Sequence, residues 1–188
     1  MTQYDQVERA VGLAVEKFGS LDVVFNNAGI IINRPLREHS PEIYDKVVKV
    51  NQHGVFHGIL AAGRKMVELN SKGIIINTAS TNSFVVIKGG ISYSASKAAV
   101  SMMTQVAAAE LGEKGIRVVA IAPSGTDTPL VQDVKPFMQQ RATINHARGE
   151  LLQPDQIADV VGFLASDESN VINGSTVLLD DGMVGMKL

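Results

Sequence analysis

Gly73-Ile74-Ile75-Ile76-Asn77, a helical stretch from about Tyr93 to Leu111, and Arg117-Val118-Val119-Ala120-Ile121 stopped by Pro123 form the passage that decides the fold. A short apolar strand, a long Ala- and Met-rich helix and a second short strand in succession imply two parallel strands joined over one face of a sheet. The same alternation continues outward. Upstream, Val7, Ala10, Val11, Ala14, Val15 and Phe18 form one helical stripe that Gly19 closes. Leu21-Asp22-Val23-Val24-Phe25 reads as a strand ending in the polar turn Asn26-Asn27-Ala28-Gly29. Ser40-Pro41-Glu42 is a helix start, with a cap and then a proline whose missing N–H costs nothing. The helix it opens runs to about Leu69 and is expected to bend near Asn51. Downstream, residues 129–150 are mixed polar and ambiguous. Pro154 opens a helix with Ile157, Val160, Val161 and Leu164 on one face, and Thr176-Val177-Leu178-Leu179 is the last strand. The expected architecture is a parallel sheet with helices on both faces, and the ligand of such a sheet lies at the carboxyl ends of its strands.

Composition sets the outer bounds. The 188 residues are 45% hydrophobic and 19% charged, against roughly 25% charged in an average domain. Such a chain can bury a core, so a disordered linker is excluded. The net charge of −2 gives no basic field for nucleic acid. The absence of cysteine excludes a disulfide framework, a thiolate zinc site and a cysteine nucleophile. No apolar run reaches 18 residues, and Met1-Thr2-Gln3-Tyr4-Asp5 is not the start of a signal peptide, so a soluble cytoplasmic protein is expected, with no membrane partner.

Chemistry concentrates at the predicted strand ends. Tyr93 and Lys97 are four apart, so on a helix they share a face. A neighbouring ammonium favours a phenolate and would bring the tyrosine toward use as a general acid or base. Ser80 lies at the carboxyl end of the 73–77 strand, 13 residues before Tyr93, where its hydroxyl could bond a substrate oxygen. His53 and His57 share a metal-compatible spacing, but no third ligand is evident. Asp180-Asp181 reads as a solvated turn.

Taken in order, Asn26-Asn27-Ala28-Gly29, Val50-Asn51-Gln52-His53-Gly54, Ser80, Tyr93-Ser94-Ala95-Ser96-Lys97, Ala122-Pro123, Thr128-Pro129 and Pro154-Asp155-Gln156-Ile157 resemble the short-chain dehydrogenase/reductase family. The resemblance runs from about residue 2 to Gly182. It implies a Rossmann-like doubly wound sheet and hydride transfer between NAD or NADP and a small alcohol or ketone. It further implies that Tyr93 is the general acid/base, that Lys97 lowers the Tyr93 pKa and bonds the nicotinamide ribose, and that Ser80 polarises the substrate oxygen. Asn51 would bridge Lys97 to solvent through water. Asn26, Ala28 and Gly29 would lie along the adenosine side of the cofactor. Pro123, the backbone near Thr126 and the Thr128 hydroxyl would hold the carboxamide end. Helices 54–69 and 93–111 would carry the subunit interface of a homotetramer or dimer.

The chain departs from that pattern in three places, one of them the C-terminal Asp-Gly-Gly, which is Asp180-Asp181-Gly182 here. The family opens with a strand, a Gly-rich turn and a helix, and no G-x-x-x-G-x-G spacing opens these residues. The expectation is therefore one domain over 1–188, N-terminally truncated, with its first strands missing: two βα units and a strand, on the order of 60 residues or more. The family's Pro-Gly is Pro123-Ser124 here, with Gly125 one place later. Either the Ser124 side chain crowds the nicotinamide or Gly125 absorbs the bend. Two functional readings follow. One is an NAD(P)-dependent alcohol dehydrogenase or carbonyl reductase. The other is an inactive remnant that acts only through its interface helices. The substrate would be chosen by the turn 82–92 and by residues 129–150, where Val131, Phe137 and Met138 stand beside Gln139, Gln140 and Arg141.

Overall fold

The structure, a computed structural model, describes residues 1–185. Helix α1 spans Tyr4–Phe18, and Gly19 ends it in the left-handed conformation, φ 78°. Strand β1 is Val23–Asn26 and β2 is Ile74–Thr78. Between them lie α2 (Pro41–Val48), a π-helical turn over Lys49–His53, and α3 (Gly54–Glu68). The Ser40 hydroxyl caps α2 by accepting from the Ile43 N–H. The expected bend at Asn51 is thus a wide turn inserted in an otherwise continuous helix. Helix α4 is Ile91–Gly112 and β3 is Arg117–Pro123. The ambiguous 129–150 segment resolves into a 3₁₀ stretch, Pro129–Val134, and α5, Lys135–Asn145. Helix α6 (Pro154–Ala165) and β4 (Thr176–Leu179) complete the chain's regular elements among the described residues.

All neighbouring strands are parallel and follow chain order, β1-β2-β3-β4. Alternate strand residues feed two cores. Ile75, Val118, Ala120 and Ala122 face α1, α3 and α4, while Ile74, Ile76, Val119 and Ile121 face α6. Each isoleucine so buried contributes about 2 kcal/mol. The third crossover advances in the same direction as the first two but over the opposite face, so its hand is opposite to theirs. It carries α5 past the carboxyl ends of the strands. The Arg117 guanidinium ties this layer down, donating to the carbonyls of Leu164, Ser166, Ser169 and Ile172.

β1 is an edge strand among the described residues, and Val23 and Phe25 are 43% and 37% exposed. No helix among the described residues is long and apolar enough to cross a membrane.

Candidate active site

The carboxyl ends of β1, β2 and β3 open into a cavity of about 610 Å³, closed on its far side by α5 and the start of α6. Strand β2 delivers Ser80 just past its end, with the Ser80 hydroxyl accepting from the Asn82 N–H (3.2 Å). Helix α4 delivers Tyr93 and Lys97 from consecutive turns of one face, and Lys97 Nζ lies 5.6 Å from the Tyr93 ring centroid. Ser80, Tyr93 and Lys97 therefore line one cavity, together with Ala28, Gly29, Pro123, Thr126 and Thr128.

Lys97 is 3% exposed, and its ammonium donates to the Thr78 carbonyl at 2.6 Å. Burial lowers its pKa to about 8, so at neutral pH it remains largely cationic. Tyr93 behaves differently from expectation. Burial raises its pKa above the ordinary phenol value, against a smaller opposing influence of the Ser80 hydroxyl. The expected lowering by Lys97 does not set the direction, because Tyr93 is half-buried against the cavity wall and desolvation penalises its charged form. At neutral pH Tyr93 is a phenol with a proton to give.

Asn51 is fully buried in the π-helical turn. Its Oδ1 accepts from the Ile30 N–H (2.8 Å), and its Nδ2 donates to the Ile30 carbonyl (2.9 Å) and the Ser96 hydroxyl (3.3 Å). Both amide protons are engaged, so the residue pins the chain after Gly29 beside α4. A Cβ built on Gly29 would lie 3.3 Å from Asn51 Oδ1 and 3.5 Å from Lys97 Nζ. All three residues thus border one point.

Asn26 is a correction. It is 4% exposed and does not line the cavity; its Nδ2 donates to Asn77 Oδ1 (2.8 Å), and Asn77 in turn donates to the Thr104 hydroxyl (3.0 Å). Even-numbered positions of this short strand face the helices, and Gly58 of α3 leaves the room: a Cβ there would meet Asn26 Oδ1 at 1.9 Å. The next residue, Asn27, lines the cavity instead and accepts from the Thr78 hydroxyl. The alternation of β1 could have signalled that swap.

The Pro123-Ser124-Gly125 departure also resolves. Gly125 has no positive φ. Space is tight there, since a Cβ would stand 3.0 Å from Leu151 Cδ2 and 3.2 Å from Met138 Cε, side-chain ends that would have to shift. The Ser124 hydroxyl is buried without a partner among the described residues. The Asp180-Asp181 turn is not merely solvated. Asp180 accepts from the N–H groups of Gly182 and Val184, and Asp181 accepts from the Arg148 N–H and Nε, which hold its pKa down. His57 turns Nδ1 to the Met1 carbonyl (2.9 Å).

A buried ammonium with unused donors, an orphaned hydroxyl at Ser124 and a glycine cradle at Gly29 suit a large polar cofactor with ribose hydroxyls and a carboxamide. A tyrosine beside a lysine, at the carboxyl ends of a Rossmann-like parallel sheet, suits an oxidoreductase.

The comparisons agree. A family profile described as enoyl-(acyl carrier protein) reductase matches residues 1–184. The 2,5-dichloro-2,5-cyclohexadiene-1,4-diol dehydrogenase of Sphingobium indicum is 40% identical over 173 residues, 92% of this chain and 69% of that protein. A short-chain type dehydrogenase/reductase from Mycobacterium marinum superposes with a TM-score of 0.94 at 29% identity, over 98% of this chain and 73% of the other. A gluconate 5-dehydrogenase from Burkholderia cenocepacia, solved with NADP and tartrate, gives 0.92 at 29% identity, over 98% and 73%. The chain belongs to the short-chain dehydrogenase/reductase family of NAD(P)-dependent oxidoreductases.

Proposed function

We propose that the chain interconverts an alcohol and a carbonyl with Tyr93 as general acid–base, using NAD or NADP. The observation that carries the reading is the convergence of the Tyr93 phenol, the Ser80 hydroxyl and the Lys97 ammonium on one cavity. The nicotinamide, when bound, supplies or takes up the hydride. Reduction builds negative charge on the substrate oxygen. Ser80 orients that oxygen by a hydrogen bond, and Tyr93 gives it the proton that its raised pKa has kept on the phenol. In oxidation Tyr93 takes the proton back. Lys97 holds a positive charge beside the ring, and Asn51 fixes the Gly29–Ile30 backbone against which Lys97 lies. Ala28 and Gly29 would flank the adenosine side of the cofactor, and Pro123, Thr126 and Thr128 its carboxamide end.

Helices α3 and α4 leave Phe56, Val67, Met102 and Val106 exposed, which supports a homodimer or tetramer built on them. Sedimentation velocity reads that assembly directly.

Titration with NADH and NADPH tests the central reading. Saturable quenching of cofactor fluorescence, with turnover lost in Tyr93→Phe, is the expected result. No quenching would favour the inactive, partner-dependent remnant.

A further inference from the structure

Helix α5 turns one face to the cavity: Phe137, Met138, Arg141, Ala142 and Asn145. Arg141 is the only cation on that face. The Arg141 guanidinium carbon stands 6.0 Å from the Phe137 ring centroid, which holds the flat cation against the cavity wall. No ion pair among the described residues involves it. Among the described residues, no aspartate or glutamate lines the cavity, and the ion pairs involve Arg37, Lys65, Lys135 and Arg148 instead. Asp133 and Glu150, the acids nearest in the chain, do not line the cavity, and Asp127 is held by Lys135 at 2.6 Å. His146, also on the cavity wall, directs Nδ1 to the Glu150 carbonyl (2.6 Å) and adds no negative charge.

A half-enclosed guanidinium without a counter-charge attracts an anion more strongly than one in bulk water does. The cavity is lined mainly by apolar groups, Ile31, Ile87, Phe137 and Met138 among them. A single cation on an apolar wall matches a monoanion on an apolar body.

We propose that the substrate is a hydroxy- or oxoacid whose alcohol or carbonyl sits at Ser80 and Tyr93 while its carboxylate meets Arg141. This rests on the reductase reading above and narrows its substrate class.

The test compares 3-hydroxyhexanoate with 2-hexanol, two probes that share the secondary alcohol and differ in the carboxylate. Isothermal calorimetry on the full chain gives their Kd values, and turnover with NAD+ and NADP+ gives kcat/KM. The expected result is at least tenfold tighter binding of the acid, weakened by added salt. Arg141→Gln is expected to collapse that ratio toward one, and Arg141→Lys to keep part of it, with circular dichroism confirming that both variants fold. Equal binding of the two probes, or an unchanged ratio in Arg141→Gln, would overturn the proposal. Failure of the unsubstituted chain to quench NADPH fluorescence is a separate outcome that removes the reductase reading itself.

Discussion

The two long walls of the cavity are built on different principles. One is made of β2 and α4, where Ser80, Tyr93 and Lys97 are held by regular strand and helix geometry and are backed by fully buried neighbours such as Ile76, Ser96 and Val100. The other is made of the 123–146 segment, where a 3₁₀ stretch leads into α5 and Phe137 is 57% exposed. The first wall holds Ser80, Tyr93 and Lys97 among close-packed neighbours that restrict their side chains. The second can differ in shape without disturbing the core. In the proposed reading, chemistry lies on the rigid wall and substrate choice on the adaptable one.

The sharpest way to break that contrast is Tyr93→Phe. Loss of the proton donor is expected to lower kcat by about 10²–10⁴, with an unchanged thermal melt because the ring still fills its place. A variant that retains activity would show that the rigid wall does not hold the acid.

Gly58→Ala attacks the support of that wall. The new methyl would overlap the Asn26 carboxamide, so a loss of about 3 kcal/mol is expected in urea unfolding.

Lys97 gives an effect of similar size through pH. Burial takes its pKa from 10.5 to about 8, so between these values the unfolded chain binds more protons than the folded one. Stability should therefore rise as pH goes from 8 to 10.5, by up to about 3 kcal/mol from this group. Lys97→Met should remove that contribution to the rise, as denaturant melts across the interval would record. Turnover that needs the ammonium should fall over the same interval.

Asn51→Ala strands the Ile30 N–H and carbonyl and is expected to cost about 2 kcal/mol in the same assay. At the small end, Phe137→Ala on the adaptable wall should change stability by about 0.5 kcal/mol or less while raising KM for a bulky substrate. A large stability loss there would erase the distinction between the walls.

The same contrast explains what the sequence disclosed. That Tyr93, Lys97 and Ser80 lie at one cavity was legible because helix and strand periodicities convert spacing into position. The kink at Asn51 was legible because asparagine is a poor helix former, although only the structure shows it as a π-helical turn. Asn26 was misplaced by one residue. The motif names a turn, whereas the strand's alternation, which decides the direction of each side chain, reaches as far as Asn26. Residues 129–150 were opaque, since their shape is set by contacts such as Gly125 with Met138 and Leu151, which leave no local period. The raised Tyr93 pKa was equally hidden, because desolvation by distant segments outweighs a neighbour four residues away.

The hydrogen-bonded asparagines on β1 and β2 carry one more consequence, for folding. Asn26 stands directly across from Asn77, at the end of a strand with three successive isoleucines. Isoleucines are interchangeable to a growing sheet, so apolar burial alone barely distinguishes the native pairing from one slipped by two positions. A slip would leave buried amides unmatched, at a cost of about 1–3 kcal/mol for each. The pair thus acts as a key that rejects misaligned strands before the cavity at their ends can form.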